Sequence, residues 1–160
     1  MSATVQLPAV CDFMAKHLPD VFDTMLSIKA VLVPKAALPQ YEERVTGAVG
    51  FGGEKVNGAI YFHLSAPFAR RAAAAMLGMT PEEVGDDNAV NDVIGELSNM
   101  LTGGLKSWLC DAGNDCAMST PAIIRGKGFE IEAMPDVARE LLVFDCDNER
   151  AVVEIHIKLN

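Results

Sequence analysis

One stretch constrains this chain more than any other. From about residue 88 to 110, Val93, Ile94, Leu97, Met100, Leu101, Leu105 and Trp108 recur at three- and four-residue spacing. At about 100° per residue they share one side of a long helix. Asp92, Glu96, Asn99, Gly103 and Lys106 fall on the opposite side, within an arc of roughly 80°. A helix so divided needs an apolar surface to lie on and keeps a polar stripe in water. Asp86 and Asp87 stand where the helix should begin, and acidic side chains there favour the helix dipole. Gly103 costs such a helix about 1 kcal/mol relative to alanine. It leaves the stripe bare at that point, open to close approach by another molecule.

The rest of the chain supplies the surface. Residues 7–26 carry a second helical pattern, with Pro19 inside it, so a kink or a restart at Pro19 is expected. Ile28 to Val33 reads as a strand ended by Pro34. Strands near Arg44–Phe51 and Val56–Leu64 flank Gly52-Gly53-Glu54-Lys55, a hairpin loop. Gly50-Phe51-Gly52 joins strand to strand and does not open a helix, so it is read as turn chemistry and not as a phosphate loop. Ser65 and Gly78 are the expected caps of a helix over Pro67–Leu77. Thr80-Pro81-Glu82-Glu83 starts a short turn or helix.

Beyond the long helix, Ala117–Ile124 and Phe129–Ala133 read as strands. Leu141–Cys146 and Ala151–Leu159 form a hairpin about Asp147-Asn148-Glu149. Val153, Ile155, Ile157 and Leu159 alternate with Glu154, His156 and Lys158, which gives one buried face and one wet face. The result is an α+β (mixed α/β) fold, a largely antiparallel sheet packed by long helices. Its 160 residues suffice for one domain with a core, residues 1–160, and are short for two.

Composition removes several functions. The net charge is −9, unlike a phosphate-neutralising nucleic-acid binder. Residues 1–80 carry 7 basic and 6 acidic side chains, and residues 81–160 carry 6 and 16. No apolar run reaches the ~20 residues of a membrane span, and Met1 to Val10 lacks the pattern of a signal peptide. Cys11, Cys110, Cys116 and Cys146 form no Cys-x-x-Cys pair and are expected to be reduced, mostly buried thiols in a cytoplasmic protein. His17, His63 and His156 are scattered, with no ligand spacing, so no metal site is expected. A nucleophile elbow and a Walker loop are both missing. Half the residues are apolar, which a dimer interface would help to explain.

Acidic and amide residues on the wet side of a helix are by themselves usually only solvated. The wider pattern says more. Asp92-x3-Glu96-x2-Asn99, followed 22 residues later by Pro121, resembles the signature of the CheC/CheX/FliY chemotaxis phosphatases. Glu96-Leu-Ser-Asn99-Met-Leu-Thr-Gly103-Gly-Leu-Lys106 and Ser119-Thr-Pro121-Ala-Ile-Ile-Arg-Gly126 fit as well, and the element order agrees from about Pro19 onward. One copy of the motif is present, as in the single-site CheX branch.

The resemblance implies a CheX-like or CheC-like fold. It implies hydrolysis of the phospho-aspartate of a CheY-type response-regulator receiver domain, and a homodimer. Glu96 would dock onto the regulator's lysine, and Asn99 would enter its site and orient the attacking water. Positioning water in line can be most of the catalysis where the phosphoryl group is already activated. An amide suits that task, since its oxygen accepts from water while its NH2 donates to a phosphoryl oxygen. Asp92 and Gly103 are then partner-contacting residues, and Pro121 sets the chain direction. The protein needs no cofactor of its own, because the Mg²⁺ belongs to the partner. Glu82, Glu83, Asp86 and Asp87 would favour approach to a lysine-bearing surface.

Two other readings compete. One is a non-catalytic binding module for a phosphorylated receiver domain, since fold does not fix function. The other is a small-ligand domain with a pocket between helix and sheet, which no residue positively supports.

Overall fold

The computed structural model describes residues 5–159, so the first four positions of the Met1 to Val10 stretch lie outside the described residues. The order is α1 (Leu7–Leu26), β1 (Val31–Val33), β2 (Arg44–Gly52), β3 (Val56–Ser65), α2 (Ala66–Leu77), a 3₁₀ turn (Pro81–Val84), α3 (Asp87–Asp111), β4 (Ala117–Met118), β5 (Ala122–Gly126), β6 (Ala138–Cys146) and β7 (Glu149–Leu159). All strand pairs among the described residues are antiparallel. The sheet order is β1-β6-β7-β3-β2, with β4 and β5 both on the far edge of β2. This is the mixed α/β architecture that the pattern implies.

The helices lie on one side of the sheet. Val10, Met14, Leu18, Phe22 and Leu26 of α1 are buried against it, as are Ile94, Leu97, Leu101, Leu105 and Leu109 of α3. Phe22 meets Phe62 of β3 and Phe68 of α2 edge-on, at centroid distances of 5.9 and 6.4 Å. α3 crosses β2 at Gly47. A Cβ at that glycine would stand 1.9 Å from Ser98 Oγ, so α3 sits directly on the strand. Ser98 satisfies its hydroxyl by donating to the Ile94 carbonyl one turn back, at 2.7 Å.

Local chemistry explains the ends. Ser65 Oγ accepts from Phe68 N–H at 3.1 Å, and Gly78 closes α2 in the left-handed conformation. Asp86 caps α3 by accepting from the N–H groups of Asn88 and Ala89.

Five expectations need correction. α1 does not restart at Pro19 but continues through it as one helix, because Leu18, Val21 and Phe22 anchor both sides of it in the core. The first strand is shorter than Ile28–Val33. The Ile28 N–H is taken by the Phe22 carbonyl, which closes the end of α1, so pairing begins at Val31. The single strand expected over Ala117–Ile124 is two, β4 and β5, interrupted at Ser119-Thr120-Pro121, where proline offers no N–H. Gly50 and Gly52 lie within β2 and are not turn residues, while Gly53 allows a close approach, since a Cβ there would meet the Asp115 carbonyl oxygen at 2.0 Å.

The fifth correction joins two positions. Phe129–Ala133 is not a strand, and the side of β7 carrying Glu154 and His156 is not wet. Glu154 is 1% exposed and His156 6%. The segments around Tyr41 and Phe129 cover that side of the sheet. Arg44 donates to the Phe129 carbonyl and stacks 3.8 Å from the centroid of its ring. Leu38, Ile131 and Ala133 line a hollow above Glu154 and Arg139.

Candidate functional site

The stripe on α3 follows from the packing of its other sides. With Leu97, Leu101 and Leu105 turned to the core, geometry puts Asp92, Glu96 and Asn99 outward. Asp92 and Glu96 are exposed and Asn99 half-buried. The three line an open groove of about 540 Å³ with Asn91, Gly95, Pro121 and Ile123. Thus Asp92, Glu96, Asn99 and Pro121 do come together. Gly103 lies one turn beyond Asn99, outside that lining.

Pro121 earns its place by contact. It packs over Gly95, where a Cβ would stand 3.6 Å from the proline Cγ. The break between β4 and β5 is held by Ser119, whose N–H donates to the Gly50 carbonyl and whose Oγ accepts from Gly50 N–H, both at 2.9 Å. Pro121 therefore forms the wall of the groove as well as turning the chain.

Among the described residues, no hydrogen bond or ion pair holds the side chain of Asp92, Glu96 or Asn99. Their neighbours differ. Asn91 Oδ1 accepts from Arg125 at 2.8 Å, and Arg125 also reaches Glu43 and Asp87 at 3.6 and 3.9 Å. Arg70 lies 3.5 Å from Asp87. Glu83 accepts from the Thr80 N–H, which holds its carboxyl below the usual carboxylate range. The acidity before the stripe is thus largely used in capping and pairing, while the stripe's own acceptors stay free. Among the described residues nothing crowds Gly103. The nearest atom to a Cβ there would be Met118 Sδ at 3.9 Å, an ordinary contact.

A second polar cluster went unread in the sequence. On the covered side of the sheet, Thr46 Oγ1 and His63 Nδ1 are 2.7 Å apart, and His63 Nε2 is 3.0 Å from Glu154 Oε1. Glu154 Oε2 accepts from Arg139 at 2.8 Å and from His156 at 2.6 Å. Burial works to raise the Glu154 pKa, but these three donors outweigh it and hold the carboxyl down to about 2. Burial lowers the His63 pKa. The Thr–His–Glu order has the look of a nucleophile, base and orienting acid. Thr46 and His63 are both fully buried, however, and no substrate atom could reach them. The signal available in the sequence was Glu154 and His156 at alternating positions of β7, easily taken for a solvated face, with His63 apart on β3. Among the described residues, no group of three or more His, Cys, Asp or Glu is placed to hold a metal ion. No helix among them is long and apolar enough to cross a membrane.

A family model described as chemotaxis phosphatase CheX matches residues 45–146. The chain belongs to that family. Solved structures agree with it. CheX from Vibrio vulnificus is 27% identical, with a TM-score of 0.81 over 99% of this chain and 100% of that one. A CheC-like superfamily protein from Shewanella is 25% identical, with a TM-score of 0.77 over 96% and 99%. The CheX of a CheX–CheY–BeF3–Mg²⁺ complex from Borrelia burgdorferi is 19% identical, with a TM-score of 0.72 over 93% and 97%. A search of curated proteins gave no match. The CheX match spans Asp92, Glu96, Asn99, Gly103 and Pro121 and leaves α1 outside it.

Proposed function

We propose that this protein hydrolyses the phospho-aspartate of a CheY-type receiver domain, using the outward stripe of α3. The observation that carries this is the pairing of Glu96 and Asn99. They stand three residues apart at one groove, exposed or half-exposed, with no partner in the described residues. Membership of the CheX phosphatase family supports the reading, and so does the Borrelia CheX solved with CheY, beryllofluoride and Mg²⁺. Beryllofluoride on an aspartate stands in for the phosphoryl group.

Asn99 would hold water in line with the phosphorus, accepting from it through Oδ1 and donating to a phosphoryl oxygen through Nδ2. Glu96 would pair with the receiver's active-site lysine, since a carboxylate beside the phosphoryl group would repel it. The protein brings no metal of its own, and the Mg²⁺ is the receiver's. Asp92 and Gly103 are contact residues at the two ends of the stripe. The glycine suits that role because no contact among the described residues requires it there. Pro121 shapes the groove wall. Residues 1–160 act as one domain with one site, in the cytoplasm and as a homodimer. Val31 and Leu32, exposed on the edge strand β1, are apolar area for such an interface.

The test is phosphoryl loss from a purified phospho-receiver, with this protein in catalytic amounts. Wild type should turn over many equivalents, and Asn99→Ala should be slower by about two orders of magnitude. Stoichiometric binding with unchanged phosphoryl lifetime would instead make it a binding module.

A further inference from the structure

α3 is held on both flanks of its stripe, and the second flank belongs to α1. His17 Nε2 lies 3.1 Å from the Met100 carbonyl oxygen. A carbonyl only accepts, so His17 carries its proton on Nε2 and donates it. Met100 follows Asn99 directly, and its carbonyl is the one to which the Gly104 N–H belongs in a regular helix. The ring lies on the helix backbone itself. A Cβ at Gly104 would stand 2.1 Å from His17 Nε2 and 2.4 Å from Cε1. The ring is clamped from behind. Phe13 stacks on it at 5.1 Å and on Trp108 of α3 at 5.3 Å.

The place matters because of what the helix lacks there. Gly103 and Gly104 are adjacent in mid-helix, and each costs about 1 kcal/mol relative to alanine. Gly104 is explained by His17, and Gly103 by no close contact among the described residues. The paired glycines give this turn the lowest helix propensity in α3, and it begins at the carbonyls of Asn99 and Met100. Water orientation demands an amide held to within a fraction of an ångström, so a loose turn there would cost rate.

We infer that His17 is a positioning residue for Asn99. Its hydrogen bond and its seat on Gly104 fix the double-glycine turn and so the direction of the Asn99 amide. The inference rests on the phosphatase reading. It reaches beyond the stripe to a residue outside the span of the family match.

The experiment compares wild type with His17→Phe, which keeps the ring stack and removes the donor, and His17→Gln, which restores a donor. Phospho-receiver hydrolysis is measured as kcat and KM, and backbone hydrogen exchange is followed at Gly103, Gly104 and Leu105. His17→Phe should lower kcat about tenfold with KM within twofold. It should also speed exchange at those amides, and His17→Gln should recover most of both. A folded His17→Phe with kcat unchanged overturns the inference, whether or not exchange rises. So does a fall in kcat that His17→Gln fails to recover, or one that leaves exchange at the three amides unaltered. Wild type that leaves the phosphoryl lifetime unchanged overturns the phosphatase reading itself, and in that case the exchange result still says whether His17 holds the turn.

Discussion

The two sides of the sheet carry polar residues in opposite ways. On the loop-covered side, Thr46, His63, Glu154, His156 and Arg139 satisfy one another, and Glu154 alone accepts from three donors. On the helix side, Asp92, Glu96 and Asn99 face outward with no hydrogen-bond or ion-pair partner among the described residues. The covered cluster has the richer chemistry and the less accessible position. A polar group spent on its own fold is unavailable to a substrate, so the plainer stripe is the better site.

Variants can press on that contrast. Glu154→Ala should cost the most, about 3–5 kcal/mol of stability, because it strands two buried or half-buried donor groups and a guanidinium. Urea unfolding reads it directly. Acid should attack the same cluster. Glu154, held at about 2 against an ordinary 4.5, gives stability that is full above 4.5 and lost as pH falls through 2, on the order of 3 kcal/mol. His63, with its pKa lowered from 6.5, adds a loss in the same direction that begins as pH drops below 6.5. Thermal melts between pH 7 and pH 3 should therefore fall steadily, and a flat profile would mean that the cluster contributes little.

On the other side the signs reverse. Asn99→Ala should lower hydrolysis about a hundredfold while moving stability by no more than about 0.5 kcal/mol. A large drop in melting temperature would show that Asn99 belongs to the fold after all. Glu96→Lys should weaken capture of the receiver about tenfold, through repulsion of its lysine, and equal capture would remove that pairing. Asp92→Asn should change hydrolysis by less than about threefold, consistent with a contact at the end of the stripe.

The helix side was legible in advance because one period governed it. The apolar positions of α3 fixed its buried side, and the stripe followed from geometry. Pro121 was brought beside Glu96 and Asn99 by the family pattern, since a 22-residue gap says nothing of contact by itself. The covered side was not legible. Alternation along β7 shows which residues share a side but not what lies over it, and an irregular strap at Phe129–Ala133 imitates a strand in its apolar content. Tertiary burial then turned a solvated expectation into a dry one. Pro19 misled for a related reason, since local propensity gave way to six buried anchors along α1.

Gly47 lies under α3 like a shim beneath a bearing. The Ser98 hydroxyl stands where its side chain would begin, so the thickness of this one residue sets the height at which the stripe is presented. A methyl group added there would have to turn the Ser98 hydroxyl off the Ile94 carbonyl or lift the helix from the strand. If the stripe is the docking surface, its presentation can therefore be retuned from β2 beneath it, by a change that a survey of surface residues would pass over.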